Sequence, residues 1–257
     1  MSKGPFILAI ETSSRIGSVA VAIGEEFLDE YVFSGPMRHS VEIFPSIMTL
    51  LNNAGKRPNQ IDHIYISGGP GSFTGLRIAV TLAKAFHLAN STKVIQVDTL
   101  DVIASNLDDY ILENIDTKNQ FRESETYIER IAPVIDAKRK QFYVAVYQFQ
   151  AEGDIHNHPF FKDYKKTQQD SLTSSSEFLA RFVCEQKPIW LLGDGLLYYK
   201  DRFRVEGVHF IDEKYWSPRA KKVHMLGWQM AKKSMFADPV NFTPFYLRRP
   251  DVVMKSL

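Results

Sequence analysis

The sequence predicts an α/β protein of two lobes. Short apolar strand runs alternate with helical patterns through the first half, and a polar stretch without periodicity, ENIDTKNQFRESET at 113–126, interrupts them. A new strand, turn and strand pattern starts beyond it. A chain of 257 residues at 44% hydrophobic composition is long enough for two modest cores, at roughly 150 residues per domain. The expected division is an N-terminal lobe over 1–113 and a C-terminal lobe over 114–257, with the last helix packing back on the first lobe.

In order, Phe6 to Ile10 and Ser18 to Ile23 read as strands joined by the polar turn ETSSRIG, and Gly24-Glu25-Glu26 turns into a third strand at Phe27 to Phe33. HSVEIFPSIMTLLNNAG places Val41, Phe44, Ile47, Met48, Leu51 and Ala54 at near-helical spacing, with Pro45 in an early turn and Gly55 at the end. HIYIS is a strand entering the loop SGGPGSFTG, and a helix is expected over 74–89, with Gly75, Ala79 and Ala83 as a small-residue stripe. Lys93 to Val97 is a strand and Thr99 to Leu112 a helix. Beyond the boundary, IAPVID and QFYVAVYQF flank the charged turn AKRK, 151–170 gives no periodic pattern and reads as irregular, and Ser176 to Glu185 is helical. The strand PIWLL leads to Gly193-Asp194-Gly195, and Ser217 and Pro218 look like the N-cap and first residue of a final helix reaching Phe236. No fixed-period repeat occurs.

Composition narrows the function classes. With 31 Lys+Arg against 30 Asp+Glu, the chain lacks the excess positive charge that drives non-specific nucleic-acid binding, so any RNA contact must be local or shared with a partner. The one cysteine, Cys184, can form neither an internal disulfide nor a multi-cysteine zinc site, which fits a reducing compartment. The N-terminal MSKGPFILAIETSS is too short and wrongly flanked for a signal peptide, and no run approaches the roughly 20 apolar residues that span a bilayer. A cytoplasmic chain with no membrane partner is expected.

The glycine loop at 67–75 lies between a strand and a helix start, where free N–H groups hold anions. It is not a Walker A loop, because Gly75 follows Gly71 by only three intervening residues and precedes Leu76-Arg77. Ser72 lacks the GxSxG frame of a nucleophile elbow. The plainer account gives the glycines a packing role and makes Ser72 or Thr74 a helix cap. Glu11-Thr12-Ser13-Ser14 is either a phosphate-facing loop or a simple polar turn. His156 and His158 stand two residues apart in the unassigned stretch and need distant help to bind a metal. The short basic clusters read as solvated faces, with Tyr246 beside Arg248-Arg249 as the one place that pairs an aromatic ring with cations. No catalytic constellation assembles from these parts.

The motifs ILAIETSSRIGSVAVA, HSVEIFPSI, SGGPGSFTGLRIAV, PVIDAKRKQFYVAVY, LLGDG and PFYLRRP occur in the order seen in TsaB (YeaZ) proteins of tRNA threonylcarbamoyladenosine biosynthesis, and the chain resembles that family over most of its length. The resemblance implies a two-lobe actin/Hsp70-like ATPase (ASKHA) fold with duplicated ribonuclease-H-like lobes. It implies a noncatalytic subunit that activates TsaD, the paralogue that transfers threonylcarbamoyl from its adenylate to the tRNA adenosine just 3′ of the anticodon. The paralogue carries metal-binding histidines after the corresponding strand, and here Thr99 and Ile103 take those places, while Ser217-Pro218-Arg219 stands where a further acidic ligand would be. No catalytic or metal residue is therefore expected. The implied partners are a TsaD homologue, the TsaE ATPase, tRNA through the complex and a second copy of the chain, with TsaC supplying the adenylate. The implied docking helices are 40–54 and 74–89, through Ile43, Ile47, Leu50, Leu51, Leu76, Ala79, Val80 and Ala83. No bound cofactor is implied beyond a weakly held or interface nucleotide. The competing reading is an ATP-dependent small-molecule kinase of the same superfold, with Thr12, Ser13, Gly193, Asp194 and Gly195 around the phosphates. A peptidase finds no metal pair or serine triad to work with.

Overall fold

The computed structural model describes residues 4–114, 128–150, 161–183 and 187–248. Its first sheet is built on β1 (Phe6–Glu11), buried along its whole length. Alternate side chains of β1 serve two cores, as the two-residue period of a strand requires. Phe6, Leu8 and Ile10 pack with α1 (His39–Asn53) and α2 (Phe73–Asn90), whereas Ile7 and Ala9 pack with α7 (Ala220–Lys232). β2 (Ser18–Ile23) and β3 (Glu26–Val32) continue antiparallel on one side, and β4 (His63–Gly69) and β5 (Lys93–Asp98) parallel on the other, giving the order β3-β2-β1-β4-β5.

The second sheet repeats this plan. β6 (Arg130–Asp136), β7 (Gln141–Phe149) and β8 (Tyr164–Ser174) pair antiparallel, and β9 (Ile189–Leu192) and β10 (Val208–Phe210) add parallel beyond β6, in the order β8-β7-β6-β9-β10. α5 (Ser175–Phe182) and α6 (Leu196–Tyr199) stand in the connections that α1 and α2 occupy in the first lobe. This is the duplicated two-lobe ASKHA architecture, and the duplication is one of strand order and direction, with no matching sequence period.

The helices that follow each sheet cross to the other lobe. α3 (Thr99–Ala104) and α4 (Leu107–Asn114) send Leu100, Ile103, Ala104, Leu107 and Ile111 into the C-terminal core. α7 packs on β1, β2, β4 and β5. α3 is shared between the lobes, since its Val102 packs with Ile7, Tyr65 and Val97 of the first.

Three elements differ from the sequence reading. The helix expected over 99–112 breaks at Ser105 and Asn106, where Ser105 bonds back to the Val102 carbonyl and buried Asn106 donates to the carbonyls of Tyr215 and Ser217. Part of the stretch read as irregular, 164–170, belongs to β8, while 151–160 lies outside the described residues. The last helix starts at Ala220, past Ser217 and Pro218, and ends at Lys232. Its first N–H groups are capped from the other lobe, Ala220 N–H by Ser18 Oγ at 2.8 Å and Lys221 N–H by Glu30 Oε1 at 3.1 Å.

The strand β8 also closes the back of the junction between lobes. Lys166 Nζ lies 2.9 Å from Asp98 Oδ2, 2.8 Å from Asp101 Oδ1 and 2.8 Å from Asp170 Oδ1. Tyr147 donates to Asp101 at 2.5 Å. Burial, a hydrogen bond to Asp170 and that neighbour's charge push the Asp98 carboxyl up to about 7 against the pull of Lys166.

Candidate functional site

The glycine loop serves packing. A Cβ on Gly75 would stand 1.7 Å from the Thr12 carbonyl oxygen, and one on Gly71 would stand 2.4 Å from that of Ser13. Ser72 N–H donates to the Ser13 carbonyl at 2.7 Å, and Ser72 Oγ caps α2 by accepting from Gly75 N–H. The loop thus seats the start of α2 directly on the β1–β2 turn.

Four loops meet around a cleft of 490 Å³ between the lobes: the β1–β2 turn, the glycine loop, the β6–β7 turn and the loop entering α6. Of the expected phosphate-loop residues Thr12, Ser13, Gly193, Asp194 and Gly195, Ser13 and Asp194 line this cleft; the hydroxyls are committed internally, whereas Asp194 Oδ1 has no hydrogen-bond partner among the described residues. Thr12 Oγ1 donates to the Gly75 carbonyl, Ser13 donates through N–H and Oγ to Glu11, and Gly195 N–H goes to the Val134 carbonyl. Ser14 Oγ donates across the cleft to Asp194 Oδ2 at 2.5 Å. The expected phosphate loops therefore hold each other and leave a carboxylate where an anion would sit. Gly193 supports the turn in a left-handed conformation at φ 115°. Thr99 and Ile103 are buried, and no group of three His, Cys, Asp or Glu side chains is arranged to hold a metal among the described residues.

Beneath the turn, Glu11 is fully buried and accepts from Ser13 and from Ser67 Oγ. Burial raises its carboxyl from 4.5 to about 7, against those hydrogen bonds and with help from the Asp194 charge. Between those two values the folded protein keeps a proton that the unfolded chain releases, so stability falls as pH rises through that window and levels off above it. Glu11→Gln removes the titration and keeps an acceptor for Ser13. In urea unfolding it is expected to exceed the parent by up to about 3 kcal/mol at pH 8 and to match it near pH 4. A difference independent of pH would contradict this.

The residues assigned to docking are all covered by their own lobe: Ile43, Ile47, Leu50, Leu51, Leu76, Ala79, Val80 and Ala83 are buried in its interior. They are the inward stripe of each helix, which a sheet must bury. The outward stripe of α1 is a second apolar row, with Val41 62%, Phe44 60% and Met48 44% exposed. Beside it a groove of 510 Å³ runs between α1 and α2, lined by Phe44, Ile78, Thr81 and Ala85 and edged by Arg77. Arg77 lies 3.8 Å over the Phe73 ring. The signal for this surface is present in the sequence as the surplus of apolar positions in α1, beyond the one stripe a lobe can use.

A profile of the family described as TsaD, tRNA N6-adenosine threonylcarbamoyltransferase, matches residues 36–169. The tRNA threonylcarbamoyladenosine biosynthesis protein TsaB of Bacillus subtilis (strain 168) is 26% identical over 97% of this chain and 96% of its own length. The Escherichia coli (strain K12) protein of the same name is 24% identical over 98% and 97%. A solved structure of YeaZ from Pseudomonas aeruginosa is 22% identical, covers 95% of this chain and 100% of its own, and superimposes with a TM-score of 0.72.

Proposed function

That this chain belongs to the TsaD (tRNA N6-adenosine threonylcarbamoyltransferase) family, as a member of the TsaB (YeaZ) kind, is the premise from which we propose that it is a noncatalytic activator of a TsaD homologue. A part in forming threonylcarbamoyladenosine in tRNA comes with the family. The chain binds the transferase through the outward face of α1 and the groove beside α2, and it contributes no reacting group. TsaC supplies the adenylate, TsaE joins as the ATPase, and the tRNA is met within the complex. A second copy of the chain uses the same face when the transferase is absent.

The observation that carries this reading is the uncovered row Val41, Phe44 and Met48 beside an apolar groove. Burying such a face removes apolar area from water at roughly 25 cal/mol per Å². The commitment of the cleft hydroxyls to Glu11, Gly75 and Asp194 supports the absence of phosphate chemistry in this chain. Gel filtration of the chain mixed with a TsaD homologue tests it. A stable complex of the two is expected, and a transferase that elutes alone at micromolar concentrations of both would overturn it.

A further inference from the structure

The rim of the interlobe cleft combines two arginines, Arg15 and Arg248, that make no ion pair among the described residues, with partly exposed rings. Arg15 lies over the Tyr198 ring at 5.8 Å and Lys138 over the same ring at 5.1 Å. Opposite, Phe73 and Tyr246 pack with ring centroids 5.1 Å apart. Lys138 is matched by Asp136 at 2.6 Å, and Asp194 is held by Ser14. Arg248 bonds to the Ala137 carbonyl and the Gln141 side chain, which fixes its direction without neutralising its charge.

From this arrangement we infer that the cleft rim binds single-stranded RNA, with one unstacked base against the Tyr198 or Tyr246 ring and the flanking phosphates on Arg15 and Arg248. Aromatic rings take any base face; Arg15 can meet a phosphate with paired donors, and Arg248, each of whose terminal nitrogens gives one N–H to Ala137 or Gln141, meets one through its remaining N–H groups. A free nucleoside triphosphate fits poorly. Its phosphates need several donors at one point, and on the cleft floor the hydroxyls of Ser13 and Ser14 are already given to Glu11 and Asp194. The Asp194 side chain, which lines the floor, offers a triphosphate only further acceptor oxygens. Phosphates one nucleotide apart meet separate cations on the rim instead. A net charge of +1 makes the attraction local to this rim. The inference rests on the proposed role in tRNA modification only for its choice of RNA over single-stranded DNA.

Fluorescence anisotropy of the full chain with a short 5′-labelled single-stranded RNA tests it. Arg15→Glu is expected to weaken binding at least tenfold and to flatten the slope against log salt by about 0.7 or more. Tyr198→Ala is expected to weaken it roughly tenfold with the salt slope unchanged, and Tyr198→Phe to restore it. Tyr198 is 51% exposed, so its substitution leaves the fold intact. No RNA binding, equal binding by all variants, or displacement of the RNA by an equal concentration of AMP would overturn the inference. The docking face is untouched by these substitutions. Loss of RNA binding with the transferase complex intact supports the rim site, and loss of the complex with RNA binding intact counts against the proposed function alone.

Discussion

Lys166→Met is expected to lower the unfolding free energy by about 3 kcal/mol at pH 8, and by clearly less at pH 5. The Lys166 side chain is 17% exposed and its ammonium stands between Asp98, Asp101 and Asp170, so its removal leaves three carboxylates facing one another. Asp98 already sits at about 7, chiefly from burial, and without the lysine the carboxyls of Asp98 and Asp101 rise further. Raised carboxyl values cost nothing where both states are protonated and cost most above the folded value, which sets the direction of the pH effect. Part of the cluster touches solvent, since the Asp101 side chain is 36% exposed, and that keeps the expected loss at the lower end for a broken buried pair. Urea titrations at the two pH values decide it. A loss under about 1 kcal/mol at pH 8 would mean that the quartet does not secure the lobes.

Phe44→Asp is expected to abolish the complex with a TsaD homologue, weakening it about a hundredfold or more, while leaving the isolated chain as stable as the parent within about 0.5 kcal/mol. The two effects separate because Phe44 is 60% exposed in the free chain. An aspartate there costs nothing in water and buries a charge once a partner covers the groove. Isothermal calorimetry for the complex and thermal melting for the chain give both numbers. An unchanged affinity would move the docking site away from α1.

The sheets were legible where strands are buried on both sides. FILAIE, HIYIS and QFYVAVYQF need apolar residues at nearly every position, and such runs read plainly. β8 was not legible, because its inward positions include Lys166 and Asp170, polar residues that satisfy one another. A strand that buries an ion cluster carries no apolar alternation. The start of α7 escapes the sequence for a related reason: its caps, Ser18 and Glu30, are about two hundred residues away in sequence, and local capping rules cannot find them.

The site was legible in its loops and not in their use. The reading of the glycine loop as a packing and capping device is what Gly71, Gly75 and Ser72 do. That the β1–β2 turn and the GDG loop spend their hydrogen bonds on each other depends on Ser14 meeting Asp194, which only the folded lobes bring about. In α1 the sequence shows two interleaved apolar rows. Which row faces the sheet depends on a rotation of the helix that periodicity alone leaves open, and Ile43, Ile47, Leu50 and Leu51 turned out to be the inward one.

The measurement that bears most directly on the central claim is the rate of tRNA threonylcarbamoylation by a TsaD homologue, followed as this chain is titrated in. Saturable activation is expected from the parent chain and equally from Ser72→Ala, which touches only a helix cap, with no activation from Phe44→Asp. A full rate without the chain, or full activation by Phe44→Asp, would contradict the account.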